Sequence, residues 1–370
     1  MRLAALAIFL AAAACAHGEP DLPSIRINGV DYVSLEEGAA RLGLRFERMV
    51  PPSTVMLKEG AKPVARLVDH SRETDILGLR VFLGDAVIQR AGRFYLSRAD
   101  YQFHLVPRLR PDLCGPPPKP PHVIVLDAGH GGMDHGTENP NLRTMEKTYT
   151  LDVALRLRRM LEEAGYKVMM IRESDVTVPK ENRAAIANRW SPDLFISIHF
   201  NSLFPNTKTT GVEVMAFPSR MQRSTDSWSP GKKDDAESAA APIDSFSAWN
   251  TVVGSILHRH LLDALHDGDR GEKFEHLAVL RGLECPGVLV EPAFLSSETE
   301  GPRLATSAYR ETIASAILAG VQDYSAVLRR LASQAAAPAP APPAASPASA
   351  PAPAATPSPR LPPTRPADPS

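Results

Sequence analysis

The sequence predicts an α/β protein: a larger domain with a central, largely parallel or mixed sheet flanked by helices, preceded by a small α+β domain. Three observations predict it. From residue 122 onward, short apolar runs alternate with segments of helical period, the pattern of helices layered on a sheet. Two proline-rich stretches, 110–121 and the one beginning near 334, cut the chain into parts. Between residues 24 and 112, a strand followed by a capped helix occurs twice.

The first residues, "MRLAALAIFLAAAACAHGEP", carry Arg2 and then an apolar run from Leu3 to Ala16. That run is too short to span a bilayer, and Ala14-Cys15-Ala16 offers small residues for cleavage. Residues 1–16 therefore read as a signal peptide, which implies export to the periplasm or cell envelope with no transmembrane span left after cleavage. Anchoring by a lipid on Cys15 is the competing reading.

In the small domain, 24–112, "SIRINGVDYV" is a hairpin, because Asn28-Gly29 tolerates the positive φ of a tight turn. Ser34 and Glu37 form a capping box for a short helix that stops at Gly43. Gly92-x-x-Tyr95-Leu96-Ser97, with Asp100 three residues on, echoes that arrangement. The domain shows no cluster of reactive residues and reads as a binding or spacer module. It resembles the small N-terminal domain of copper amine oxidases. Residues 113–121 are a stiff proline-rich linker.

The larger domain covers 122–330. "HVIVLDAG" is a buried strand. "MEKTYTLDVALRLRRMLEEAGY" is an amphipathic helix with Tyr149, Val153, Leu157, Met160 and Leu161 on one stripe, ended by Gly165. "KVMMIRES", "DLFISIHFN", "GVEVMAF" and "GVLVEPAF" are strands. "ENRAAIANRW", "WNTVVGSILHRHLLDAL" and "AYRETIASAILAGVQDYSAVLRRL" are helices. The tail, 334–370, is almost entirely Ala, Pro and Ser and lacks the side chains for a core. The balance of 41 basic and 42 acidic residues gives no electrostatic case for nucleic acid as a partner.

Polar residues fall at matching places in this pattern. His130 follows the first strand within "LDAGHGGMDHG", His199 ends "LFISIHF", Glu291 ends "GVLVE", and Glu146 opens a helix. In open α/β sheets such strand ends converge. Two histidines and a carboxylate suit a catalytic zinc, and a further carboxylate suits a general acid/base; the strand-end Glu291 is placed for that work. Asp127 and Asn201 adjoin the histidines and are candidates to orient them. A phosphate-binding loop is disfavoured, since no Lys-Ser or Lys-Thr pair follows the glycines.

Taken in order, "VIVLDAGHGGMDHG", Glu146-Lys147, "ANRWSPDLFISIHFN", "GVEV" and "GVLVEPAFLSS" resemble the zinc-dependent N-acetylmuramoyl-L-alanine amidases of the amidase type 3 family, over nearly all of 122–326. The resemblance implies hydrolysis of the amide between N-acetylmuramic acid and L-alanine in peptidoglycan. It implies that His130, Glu146 and His199 ligate Zn2+ and that Glu291 is the catalytic acid/base. It leaves His135 outside the ligand set and makes an envelope activator protein a candidate partner. Pro292-Ala293-Phe294 stands where the family commonly has Gly-Phe-x-Ser-Asn, which bears on the shape of the site.

Further expectations concern residues 217–249, a long polar insertion, and the two cysteines left after cleavage. Some relatives block their zinc with a helix in this region, so Asp234, Asp235 or Glu237 could reach the metal. Cys114 and Cys285 each precede a strand of the larger domain and could form a disulfide after export. The rival functions are a non-catalytic wall-binding protein on the same fold and a zinc endopeptidase acting on the stem peptide.

Overall fold

The expected hairpin is the first feature of the computed structural model, which describes residues 22–139, 141–228 and 232–336. The signal-peptide and Cys15 readings lie outside the described residues, as does the tail beyond 336. Asn28 and Gly29 take φ of 49° and 85°. They join β1 (Ser24–Ile27) to β2 (Val30–Ser34), with Ile27 opposite Val30. Ser34 Oγ accepts from the Glu37 amide at 3.3 Å and caps α1 (Leu35–Arg41).

A meander that the sequence reading did not anticipate follows: β3 (Arg45–Arg48), β4 (Thr54–Glu59), β5 (Lys62–Val68), β6 (Glu73–Ile76) and β7 (Leu79–Phe82). Each strand pairs antiparallel with the next. Then β8 (Ile88–Arg90) and β9 (Arg93–Ser97) complete a small sheet of order β1-β2-β9-β8. The second cap forms as its echo predicts: Ser97 Oγ accepts from the Asp100 amide at 3.0 Å and starts α2 (Arg98–Asp100). The chain winds on through a π-helical stretch, Tyr101–Leu105, into α3 (Val106–Leu109). The proline-rich stretch after it contains one 3-10 turn, Pro111–Leu113, and is pinned where Lys119 meets Asp193 at 2.8 Å.

The larger segment runs β10 (Val123–Ala128), β11 (Glu138–Asn139), β12 (Thr144–Met145), α4 (Glu146–Glu163), β13 (Lys167–Met170), α5 (Lys180–Asn188) and β14 (Leu194–Ile198). It continues with β15 (Val212–Ala216), α6 (Ser247–Leu265), β16 (Asp269–Phe274), α7 (Ala278–Arg281), β17 (Gly287–Glu291), α8 (Glu300–Leu304) and α9 (Ser307–Ala336). Helix α9 therefore takes in residues 334–336, which the composition had assigned to the tail.

Among the described residues the large sheet has eleven strands, ordered β13-β10-β14-β17-β15-β16-β7-β6-β5-β4-β3. Strands β13, β10, β14 and β17 are parallel, and β15 runs antiparallel to β17, so the sheet is mixed. Successive residues of its central strands serve opposite faces. Ile124, Leu126, Ile196 and Val288 enter one core cluster, while Val125, Phe195 and Leu289 enter the other. The meander β3–β7 continues this sheet, because β7 lies parallel to β16 with Val81 opposite Glu272.

The two clusters correct the expected disulfide. Cys114 is buried in the first and Cys285 in the second, so the thiols serve different faces of the sheet and are not joined to each other. Burial pushes the Cys285 thiol up to about 12. Among the described residues, no helix is long and apolar enough to cross a membrane.

Candidate metal centre

Strands β10, β14 and β17 are adjacent and parallel, so their carboxyl ends share one rim of the sheet. His130 follows β10, His199 follows β14, and Glu291 is the last residue of β17. Glu146 is the first residue of α4. The rim brings three of the four into one cluster: ligand atoms of His130, Glu146 and His199 lie within 4.8 Å of one another. Glu146, 4% exposed, bridges the two rings. Its Oε2 is 3.1 Å from His130 Nε2 and its Oε1 is 2.9 Å from His199 Nδ1. The amides of Thr137 and Phe200 donate to the same two oxygens at 2.9 and 3.0 Å.

The glycines of the loop keep this space open. A Cβ on Gly129 would meet His199 Cε1 at 2.4 Å, and one on Gly136 would meet Glu146 Oε2 at 2.6 Å. The loop is also held from beneath by two arginines. Arg183, 2% exposed, donates to the Ala128 and His130 carbonyls at 3.0 and 2.8 Å, and Arg172, also 2% exposed, donates to those of Ala128 and Gly129, both at 2.8 Å. His130 itself sits at φ 60°, a left-handed conformation that such anchoring sustains.

Burial would raise the Glu146 carboxyl, but the His130 and His199 rings reverse it and hold the group well below the usual carboxylate range. Burial works against a charged His130, while Glu146 and Asp134 raise its proton affinity above the ordinary value. Glu291 shows the opposite balance to Glu146. Burial, then the charges of Glu146 and Glu213, push its carboxyl well above the ordinary value, with Lys273 opposing. Its Oε2 is buried without a hydrogen-bond partner among the described residues.

Several sequence expectations are corrected here. Asp127 and Asn201 do not orient the histidines. Asp127 accepts from Arg183 at 2.6 Å and from Ser197 at 2.9 Å, and Asn201 donates to Glu213 at 2.9 Å. The orienting group is Asp134, whose Oδ1 is 2.9 Å from His130 Nδ1. The sequence does carry a signal for it, the i,i+4 spacing from His130. His135 lies beside Glu138 at 3.3 Å and is not in the cluster. The acidic residues of the insertion find other partners as well. Asp234 pairs with Arg223 at 2.5 Å, Asp235 with His276 at 3.2 Å, and Glu237 with Arg281. These partners satisfy the carboxylates locally, and none of the three joins the candidate metal cluster.

Two imidazoles and one carboxylate, converging on a space that glycines leave clear, form a donor set that fits a catalytic zinc. A family model described as N-acetylmuramoyl-L-alanine amidase matches residues 124–323. N-acetylmuramoyl-L-alanine amidase AmiC of Escherichia coli O6:H1 is 31% identical over 224 residues, covering 56% of this chain and 53% of that protein. The sporulation-specific N-acetylmuramoyl-L-alanine amidase of Bacillus subtilis is 31% identical over 193 residues, covering 52% of this chain and 63% of the relative. The chain thus spans about half to two thirds of the length of these relatives. Among solved structures, amidase AmiC2 of Nostoc punctiforme is 26% identical and covers 55% of this chain and 96% of its own, with a TM-score of 0.45.

Proposed function

The chain belongs to the N-acetylmuramoyl-L-alanine amidase family, and from that premise we propose that it hydrolyses the amide between N-acetylmuramic acid and L-alanine in peptidoglycan. The observation that carries the reading is the meeting of His130, Glu146 and His199 on the rim where β17 ends in Glu291. In this reading the three residues would hold zinc and Glu291 serves as acid/base. Bound there, zinc would bring the pKa of water to about 7 and polarise the substrate carbonyl.

The chain's own groups account for the proton movements. Glu291, with an unpartnered carboxyl oxygen and raised proton affinity, takes a proton from the attacking water. Water oxygen bonds to the lactyl carbonyl carbon as the carbon–nitrogen bond breaks. Glu291 returns that proton to the L-alanine nitrogen as it departs, leaving a carboxylic acid and a free amine. Asp134 keeps the His130 ring in place while this happens.

The same proposal includes export to the periplasm or cell envelope, an envelope activator, and the division into an N-terminal module over 24–112, a linker over 113–121 and a catalytic segment over 122–330. Mass analysis of purified sacculi digested by the zinc-loaded full chain tests the function. New free L-alanine amino termini on intact stem peptides are expected. Cleavage within the stem would mean an endopeptidase, and binding without cleavage would mean a wall-binding protein.

A further inference from the structure

Beside Glu291 lies a second carboxylate held by two cations. Glu213 is opposite Glu291 in the β15–β17 pairing and is 1% exposed. Its Oε1 accepts from Arg270 Nε at 2.8 Å and lies 2.7 Å from Lys273 Nζ, while its Oε2 accepts from Asn201. Residues three apart on a regular strand point to opposite faces, so Arg270 and Lys273 could not both reach one carboxylate from an unbroken β16. A bulge removes the conflict. Val212 is in register with Asp269 but Val214 with Glu272, one extra residue on β16.

The bulge depends on the N-terminal module. Gly271, within it, has φ 98°, and a Cβ there would meet Phe82 Cε2 at 2.7 Å. Phe82 is the last residue of β7, and its ring centroid lies 5.9 Å from Lys273 Nζ. On one side of the bulge, the Arg80 amide donates to Asp269 at 2.8 Å. On the other, buried Arg108 pairs with Glu272 at 2.7 Å. The module thus holds β16 before, at and after the bulge.

We propose that the N-terminal module braces the catalytic centre: Phe82, packed on Gly271, holds Arg270 and Lys273 on Glu213, and Glu213 is a positioning residue for Glu291. This goes beyond the binding or spacer role the sequence suggested for the module, and it rests on the reading of Glu291 as the acid/base.

The test compares the full-length chain with Phe82→Ala, Phe82→Tyr, Lys273→Met and the Phe82→Ala/Lys273→Met double variant on a soluble muropeptide. Amide hydrogen exchange and zinc content are measured in parallel. Phe82→Ala is expected to lower kcat about 10- to 100-fold at unchanged KM and zinc content, the scale of a small misplacement of a reacting group. Phe82→Tyr restores kcat, and Phe82→Ala costs nothing further once Lys273 is Met. Exchange at the Glu213 and Glu291 amides rises in Phe82→Ala. A wild-type kcat in Phe82→Ala, additive losses in the double variant, or unchanged exchange at those amides would each overturn the bracing. A wild-type chain that leaves the muropeptide intact counts against the amidase reading instead, and the exchange measurement then decides the bracing by itself.

Discussion

Asp134 belongs to no metal cluster, yet its carboxylate decides which nitrogen of His130 faces Glu146, because it occupies Nδ1 at 2.9 Å. Outer partners of this kind raise the basicity of a ligand and hold its ring. Asp134→Ala is expected to weaken zinc affinity about 10- to 100-fold, read by competition with a chelating dye, with thermal unfolding of the metal-free chain little changed. Glu291 and Glu146 separate in the other direction. Glu291→Gln should keep its zinc and lose amidase activity by about 100- to 10,000-fold, the usual worth of a general acid/base. Glu146→Ala should lose metal and activity together, because the same oxygens that face the two histidines accept the Thr137 and Phe200 amides. Metal analysis alongside product analysis distinguishes the two, and a fully active Glu291→Gln chain would refute the role given to that residue.

At the scale of elements, the loop after β10 is positioned from helix α5. Arg183 reaches from α5 to the Ala128 and His130 carbonyls and to Asp127, at 2.6 Å, with both side chains buried. Arg183→Met leaves Asp127 buried without its cation, a change that costs about 3–5 kcal/mol. Urea unfolding should show that loss, and zinc binding should weaken with it as the loop loosens. Strands β10, β14 and β17 could be read from sequence because burial on both faces writes continuous apolar runs, "VIVLDA", "LFISI" and "GVLVE". The four candidate site residues, three of which meet in one cluster, could be read because they sit at the ends of those runs or at a helix start. Strand β16, "DRGEKF", escaped notice because its bulge breaks the two-residue alternation and four of its six residues are charged. Arg183 was equally hidden, since an arginine on a polar helix looks like part of a solvated face until the loop beneath it is seen.

For the whole molecule, the informative titration is at the seam between module and insertion. Asp100 accepts from the Gly84 and Asp85 amides and from Gln222, and has no exposed surface. Burial first, and the Asp85 charge second, push its carboxyl from 3.8 up to about 7. Between those values the folded chain keeps a proton that the unfolded chain has lost, so this group's contribution falls as pH rises from about 4 to about 7 and is level above that. Relative to the wild type, Asp100→Asn should therefore gain stability across that window, by at most about 1.4 kcal/mol per pH unit. His104, which burial and the Arg108 charge hold below its ordinary value, has its Nδ1 3.5 Å from Asp100 Oδ1, so the same comparison on a His104→Gln background isolates Asp100. A difference independent of pH would show that Asp100 is not the group responsible.

The parallel seam of β7 on β16 has one more consequence. A chain begun at residue 122 would leave one side of β16 with its backbone N–H and C=O groups facing water, an open template for another strand. Such a fragment should associate with itself, visible as multimers by light scattering, where the full chain has that side of the strand already occupied. In the full chain, β7 would deny a second copy the place it fills itself.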